Sequence, residues 1–280
     1  MKTIKLLALS AIVTGCITSC QKEEIATEIN ETNNTPTKEQ LLKLESMGVN
    51  TEDVSVKTIT DLDGSSADYF VNGTDLGIPV VGLVNQPSLE SLDNGMKQYR
   101  TRNIVSSRNR TINVLGYTGG GGNGLSNTGR QALQRAVNTY NNLNTSLNMR
   151  LTFGTNYQAA DLVVYVRSDL GSGGLAGFPS GGRAYKWARI GPSVKNQGVA
   201  YTQHVITHEM GHCIGLRHTD WQQRVCNGQN EGQGQDGAIH IPGTPTGVDI
   251  TSFMISCPTQ GNPMNGTLNR NDVTALQYLY

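Results

Sequence analysis

His208-Glu209-Met210-Gly211-His212-Cys213-Ile214-Gly215-Leu216-Arg217-His218 is the stretch around which the rest of the chain is organised. All 5 histidines lie between His204 and His240, and three of them fall in this run. On a helix turning about 100° per residue, His212 stands one turn on from His208 and about 40° round, so both imidazoles can meet one metal ion. Glu209 lies about 60° beyond His212, near such an ion but offset, which suits a base acting on water. Ile206, Met210, Cys213 and Ile214 point about 140–240° away from His208. That face is apolar and asks for a sheet to dock on.

In a continuing helix His218 would lie about 240° from His212 and face away. The chain must therefore stop and turn, and Gly215 is where the break belongs, because glycine takes positive φ without steric cost. The turn can then bring His218 back as a third ligand. Three neutral imidazoles leave a position on Zn²⁺ open to water, and Glu209 is placed to take that water's proton. One catalytic zinc ion is the expected cofactor. His204 forms an alternative pair with His208 one turn earlier, but reads as a polar residue near the helix start. His240 reads as an ordinary loop residue. Asp220 is either a carboxylate that holds a histidine in place or an exposed loop acid.

Upstream, Thr111 to Tyr117, Leu147 to Phe153 and Asp161 to Val166 read as strands. A helix with Leu133, Ala136, Val137, Tyr140 and Leu143 on one stripe lies between the first two. The loop Gly119 to Gly124 lacks the Lys-Ser/Thr of a phosphate cradle, so nucleotide binding is set aside. Further upstream, Thr37-Lys38-Glu39-Gln40 is a capping-box pattern ahead of Leu41, Leu42, Leu44 and Met47, and Gly48 can end that helix. Val54 to Thr60 and Asp68 to Val71 read as strands around an Asn72-Gly73 turn signal. Lys97, Arg100, Arg102, Arg108 and Arg110 make residues 97 to 110 basic, read either as a solvated linker or as a protease-accessible boundary.

Residues 1 to 20 have the parts of a bacterial export signal: Lys2 and Lys5, then a short apolar core from Leu6 to Val13. Cys16 and Cys20 each follow small residues in lipobox-like settings. Cys20 is favoured as the lipidated residue, with an ordinary secretory signal as the alternative. Cysteine followed by Gln-Lys-Glu-Glu also resembles the surface-export signal of Bacteroides-group lipoproteins. The expected location is the outer membrane or cell surface, held by a lipid anchor only. Of 5 cysteines, Cys213, Cys226 and Cys257 then remain. Cys213 falls on the apolar face, which leaves Cys226 and Cys257 to pair. The 280 residues carry 22 basic and 22 acidic side chains, so no net field attracts nucleic acid. No apolar run reaches the roughly 18 residues of a membrane span.

The histidine run is similar to the metzincin signature, and Ser252-Phe253-Met254-Ile255-Ser256 resembles that group's methionine turn. The chain most resembles the dual-action HEIGH metallopeptidase family, with Met210 where that motif has isoleucine. The resemblance implies an α/β (α+β) zincin fold. Its twisted, mostly parallel sheet would carry an antiparallel edge strand within residues 174 to 191 to hold extended substrate, with a C-terminal helix from Asn271 to Tyr280. It implies His208, His212 and His218 as zinc ligands, Glu209 as the catalytic base, Gly215 at the turn and Met254 as a floor beneath the histidines. Ser256 stands where some metzincins carry a tyrosine ligand, so none is expected. The expected organisation is a signal over 1–20, a polar tether over 21–36, a small pro-like α+β unit and linker over 37–105, and a catalytic domain over 106–280. No cysteine lies in the pro-like unit to silence zinc. A carboxylate such as Asp61 or Asp63 could do so, though nothing in the sequence marks one out. The expected activity is hydrolysis of peptide bonds in a protein or peptide substrate. A surface binding lipoprotein on a peptidase scaffold, or a zinc hydrolase of a non-protein amide, are the alternatives; the sequence leaves the oligomeric state open.

Overall fold

The structure, a computed structural model, describes residues 35–47, 49–71, 75, 77–85, 98–233, 236–245 and 247–280. The export signal with Cys16 and Cys20, the tether up to residue 34, Gly48, the Asn72-Gly73 turn and Lys97 lie outside the described residues.

The first elements form a small layer of their own. Helix α1 (Lys38–Ser46) starts with both arms of a capping box: Thr37 accepts from the Gln40 amide, and the Gln40 side chain accepts from that of Thr37. Strands β1 (Ser55–Thr60), β2 (Ser66–Val71) and β3 (Ile78–Pro79) pair antiparallel in that order. Leu44, Met47, Val49, Phe70 and Leu83 make their shared core.

Strand β4 (Tyr99–Arg100) follows, then β5 (Thr111–Tyr117), helix α2 (Asn127–Asn141), β6 (Asn148–Gly154), β7 (Leu162–Val166), β8 (Gly174–Leu175) and β9 (Trp187–Ile190). Helix α3 (Gly198–Ile214), β10 (Ile239–His240) and helix α4 (Arg270–Leu279) complete the chain. The main sheet runs β6-β5-β7-β9-β8; its first four strands are parallel and β8 is antiparallel to β9. It is thus a mixed α/β fold with a mostly parallel sheet and an antiparallel edge. Ala132, Leu133, Ala136, Val137 and Tyr140 of α2 share the main core with Ile206, Met210, Cys213 and Ile214 of α3. The buried Tyr140 hydroxyl donates to the Thr207 carbonyl at 2.7 Å, tying the two helices together. Leu115, Val163, Tyr165 and Trp187 form a second cluster, and Leu62 of the first layer packs against it.

The basic segment departs from expectation. From Gln98 it is not a solvated linker throughout: Gln98, Tyr99, Thr101 and Val105 are buried, while Arg102, Asn103, Ser107 and Arg108 are exposed. Strand β4 pairs with β10, the Thr101 amide donates to the Gly215 carbonyl at 2.8 Å, and Tyr99 stands edge-on to Trp221. Alternation explains the misreading, because Tyr99 and Thr101 turn inward while Arg102 stays exposed.

Candidate metal centre

Helix α3 presents His208 and His212 together, and the chain then leaves the helix at Gly215 with φ 108°. A Cβ there would lie 3.1 Å from the Asn103 carbonyl oxygen, so space and backbone conformation both call for glycine. The turn carries His218 back onto the other two rings. The three Nε2 atoms stand 3.0–3.1 Å apart.

Each Nδ1 faces an oxygen that can only accept. His208 Nδ1 donates to the Phe253 carbonyl at 2.7 Å, His212 Nδ1 to the Leu216 carbonyl at 2.9 Å, and His218 Nδ1 to the Glu231 carboxylate. These partners place the protons on Nδ1 and aim three Nε2 lone pairs at one point. The triangle's edges are shorter than twice a zinc–imidazole bond of about 2.0–2.1 Å, so a single ion reaches all three corners. The donor set fits zinc.

Met254 organises the floor. Its sulfur would lie 2.6 Å from a Cβ on Gly211, so the glycine of the motif lets the methionine pack directly under the helix. The neighbouring Phe253 carbonyl holds His208, and the Met254 carbonyl accepts from the Thr219 amide, next to His218. Asp272 of α4 secures this turn by accepting from Ser252 Oγ at 2.5 Å and the Phe253 amide at 3.2 Å. Cys226 and Cys257 form a disulfide, joining the loop after His218 to the segment after Met254, while Cys213 is a free, buried thiol. Ser256 Oγ donates to Asp220.

Glu209 is buried beside the histidines, and its Oε2 has no hydrogen-bond partner. A Cβ on Gly174 of the edge strand would overlap the Glu209 carboxyl group, so β8 passes this close only as glycine. Burial first, and then the Asp75 carboxylate, push Glu209 well above the usual carboxylate range. A cavity beside it is lined by Gly174, Tyr201, His204, Ile255 and Met264.

Two carboxylates near the histidines were not singled out in the sequence. Asp75 Oδ2 lies 2.9 Å from His208 Nε2 and Oδ1 lies 3.1 Å from His218 Nε2. Asp75, His208, His212 and His218 can together hold one metal ion. Glu231, buried, is the partner of His218. Burial alone would hold charge off His218, but the Asp75 and Glu231 carboxylates outweigh it, a field that favours a cation here.

Asp220 is neither a partner of a histidine nor exposed: it is buried and accepts from the Ser256 and Val225 amides. His204 is also buried, and burial followed by His208 lowers its pKa to about 3. His240 sits in β10, with its Nε2 3.2 Å from the Thr244 hydroxyl. Asp61 pairs with Arg189, and Asp63 hydrogen-bonds Ser65 within its own turn; neither reaches the histidines.

Three imidazoles aimed at one point beside a buried carboxylate define a mononuclear zinc hydrolase centre. The family model of the dual-action HEIGH metallo-peptidase matches residues 80–280, and the chain belongs to that family. It is a metallopeptidase with zinc as its cofactor. Among solved structures it is similar to a structure of myroilysin at 15% identity, with 61% of this chain and 79% of that chain covered and a TM-score of 0.40. It is also similar to a crystal structure of myroilysin at 18% identity, covering 39% and 44% respectively with a TM-score of 0.27. No curated protein matches the sequence.

Proposed function

We propose that the chain is an exported, metzincin-type zinc endopeptidase in which His208, His212 and His218 hold the ion and Glu209 is the general base. The observation that carries this reading is the buried Glu209 oxygen, left without a partner beside three converging imidazoles. An unpaired buried carboxylate is costly, and a structural metal site has no use for one. When bound, zinc supplies Lewis acidity to the scissile carbonyl and to the attacking water. Glu209 takes the proton from that water and delivers it to the departing amine nitrogen. An extended peptide added along the edge strand β8 would bring its scissile bond beneath Glu209 at Gly174. Gly215 and Met254 hold the ligands in register.

The test is hydrolysis of denatured casein by the zinc-loaded chain carrying Asp75→Ala, so that this carboxylate does not compete with water. Adding Glu209→Gln should slow hydrolysis by about 10²–10⁴ with zinc still bound. Equal rates in the two forms would refute the assignment of Glu209, and zinc binding without hydrolysis in either would favour a binding role. Export rests on the composition of residues 1–20; mass spectrometry of the mature N-terminus should find a lipidated Cys20, an unmodified cleaved N-terminus would refute the anchor, and a chain that keeps Met1 and the whole leader would refute export.

A further inference from the structure

We propose that the cavity around Arg108, Arg183 and Lys186 is a second binding site, which holds an acidic stretch of a protein substrate at a distance from the bond being cut. The proposal deepens the peptidase reading above and rests on it for the nature of the ligand. Arg108 belongs to the basic segment that stands out in the sequence and that the metal centre does not use.

The cavity encloses about 360 Å³, and Thr111, Gln158 and Asp161 complete the polar part of its wall. That is the size of a small-molecule pocket. Separate segments bring the cations together. Arg108 sits in the short turn Ser107–Asn109 ahead of β5, and the Asn109 side chain fastens that turn by donating to the Gly182 carbonyl at 2.7 Å. The Ser106 amide donates to the same carbonyl at 2.9 Å, and Arg183 is the next residue. Lys186 precedes β9 and reaches across to the turn Tyr157–Ala159, just after which its Nζ donates to the Ala160 carbonyl at 3.3 Å.

These charges are not spent on neighbours. Arg108 and Arg183 are exposed, and neither side chain bonds to another described residue. Lys186 makes one long bond with an ammonium group that has three protons to give. The nearby carboxylates are occupied: Asp161 accepts from the Asn113 amide and side chain at 2.9 Å, and Asp63 accepts from Ser65. A concave wall with three cations and one such acid focuses a positive field, in a chain whose charges otherwise cancel at 22 against 22.

Its position links it to the chemistry. Ala184 and Lys186 also line a neighbouring cavity together with Phe178, and the Phe178 ring stands edge-on to His212 at 5.6 Å. Residues 178 to 186 thus connect the histidines with the basic cavity, a reach of at most about 30 Å that roughly ten extended residues of substrate would cover. The lining residues run from Arg108 to Lys186, so the site is built by the main domain alone.

The test is fluorescence anisotropy of the full chain with a labelled hexaglutamate peptide at low ionic strength, beside hexaglutamine as a neutral probe of the same length. Hexaglutamate should bind the more tightly. Exposed charge pairs contribute about 2- to 5-fold in affinity each, so Arg108→Gln with Arg183→Gln should weaken it by about 4- to 25-fold. Circular dichroism checks that this double variant keeps its fold. Arg135→Gln with Arg270→Gln removes the same charge from exposed positions elsewhere and should change affinity by less than about twofold. Equal affinity for the two peptides, or an equal loss in both double variants, would overturn the proposal. So would sulfate that displaces hexaglutamate where chloride of the same ionic strength does not, because the cavity would then be a site for a free oxyanion. Binding is read without hydrolysis: hexaglutamate held at these arginines by a chain that cleaves no protein would sustain the acidic-peptide site and overturn the peptidase reading alone.

Discussion

Replacing Glu231 by glutamine tests how the third histidine is held. The side chain keeps its shape and loses its charge. Glu231 accepts from His218 Nδ1, and its oxygens also lie 3.5 Å from Arg217 Nη2 and 3.5 Å from Arg224 Nε. In the variant the amide oxygen has to stay on His218 and beside Arg224, which turns the NH₂ group toward the Arg217 guanidinium. A charge-assisted bond becomes a neutral one, roughly half as strong. Groups that orient a metal ligand in this way typically contribute 10- to 100-fold in metal affinity, so Glu231→Gln should weaken zinc binding by about 1.4–2.7 kcal/mol. The arginines retain other partners: Arg217 donates to the Gly232 and Gly237 carbonyls and Arg224 to the Ser256 carbonyl. The stability cost should therefore be about 2–3 kcal/mol, below that of a buried pair broken outright. Competition with a chromophoric chelator reads the first quantity and urea denaturation the second. Unchanged zinc affinity in a folded variant would refute the role given to Glu231.

Gly215→Ala should cost about 1–3 kcal/mol, because alanine at φ 108° is strained and its methyl would press on the Asn103 carbonyl oxygen. Urea denaturation measures it, and a loss within error of zero would show that the helix end can shift. Cys257→Ser opens a loop of 31 residues and should lower stability by about 3–4 kcal/mol under oxidising conditions. Wild type held reduced should match the variant in thermal unfolding, and a difference between them would point to strain at the serine.

Much of this fold is written locally. Strand β5 covers the expected Thr111 to Tyr117, and the stripe from Leu133 to Tyr140 is buried as its spacing requires. The close pair His208 and His212 follows from helical geometry alone. What escaped the sequence are partners chosen across distance. His218 takes its acceptor from Glu231, while the nearer Asp220 is committed to Ser256 and Val225. Asp75 sits in a short polar stretch with no periodicity to mark it, and only the pairing of β2 with β3 and the Asp61–Arg189 bond deliver it to the histidines. His204 reads as a polar residue at a helix start, yet the packing of α3 buries it. Periodicity reports which side of an element is covered, but not by what.

Val49 of the first layer forms an antiparallel bridge with Glu231, the residue that orients His218. The angle of the third ligand is thus set by a segment more than 180 residues away in the chain, and metal retention becomes a readout of how well the first layer is ordered. Substitutions in the α1–β3 core, such as Leu44→Ala, should loosen the metal as well as the fold, although none of those side chains touches an imidazole.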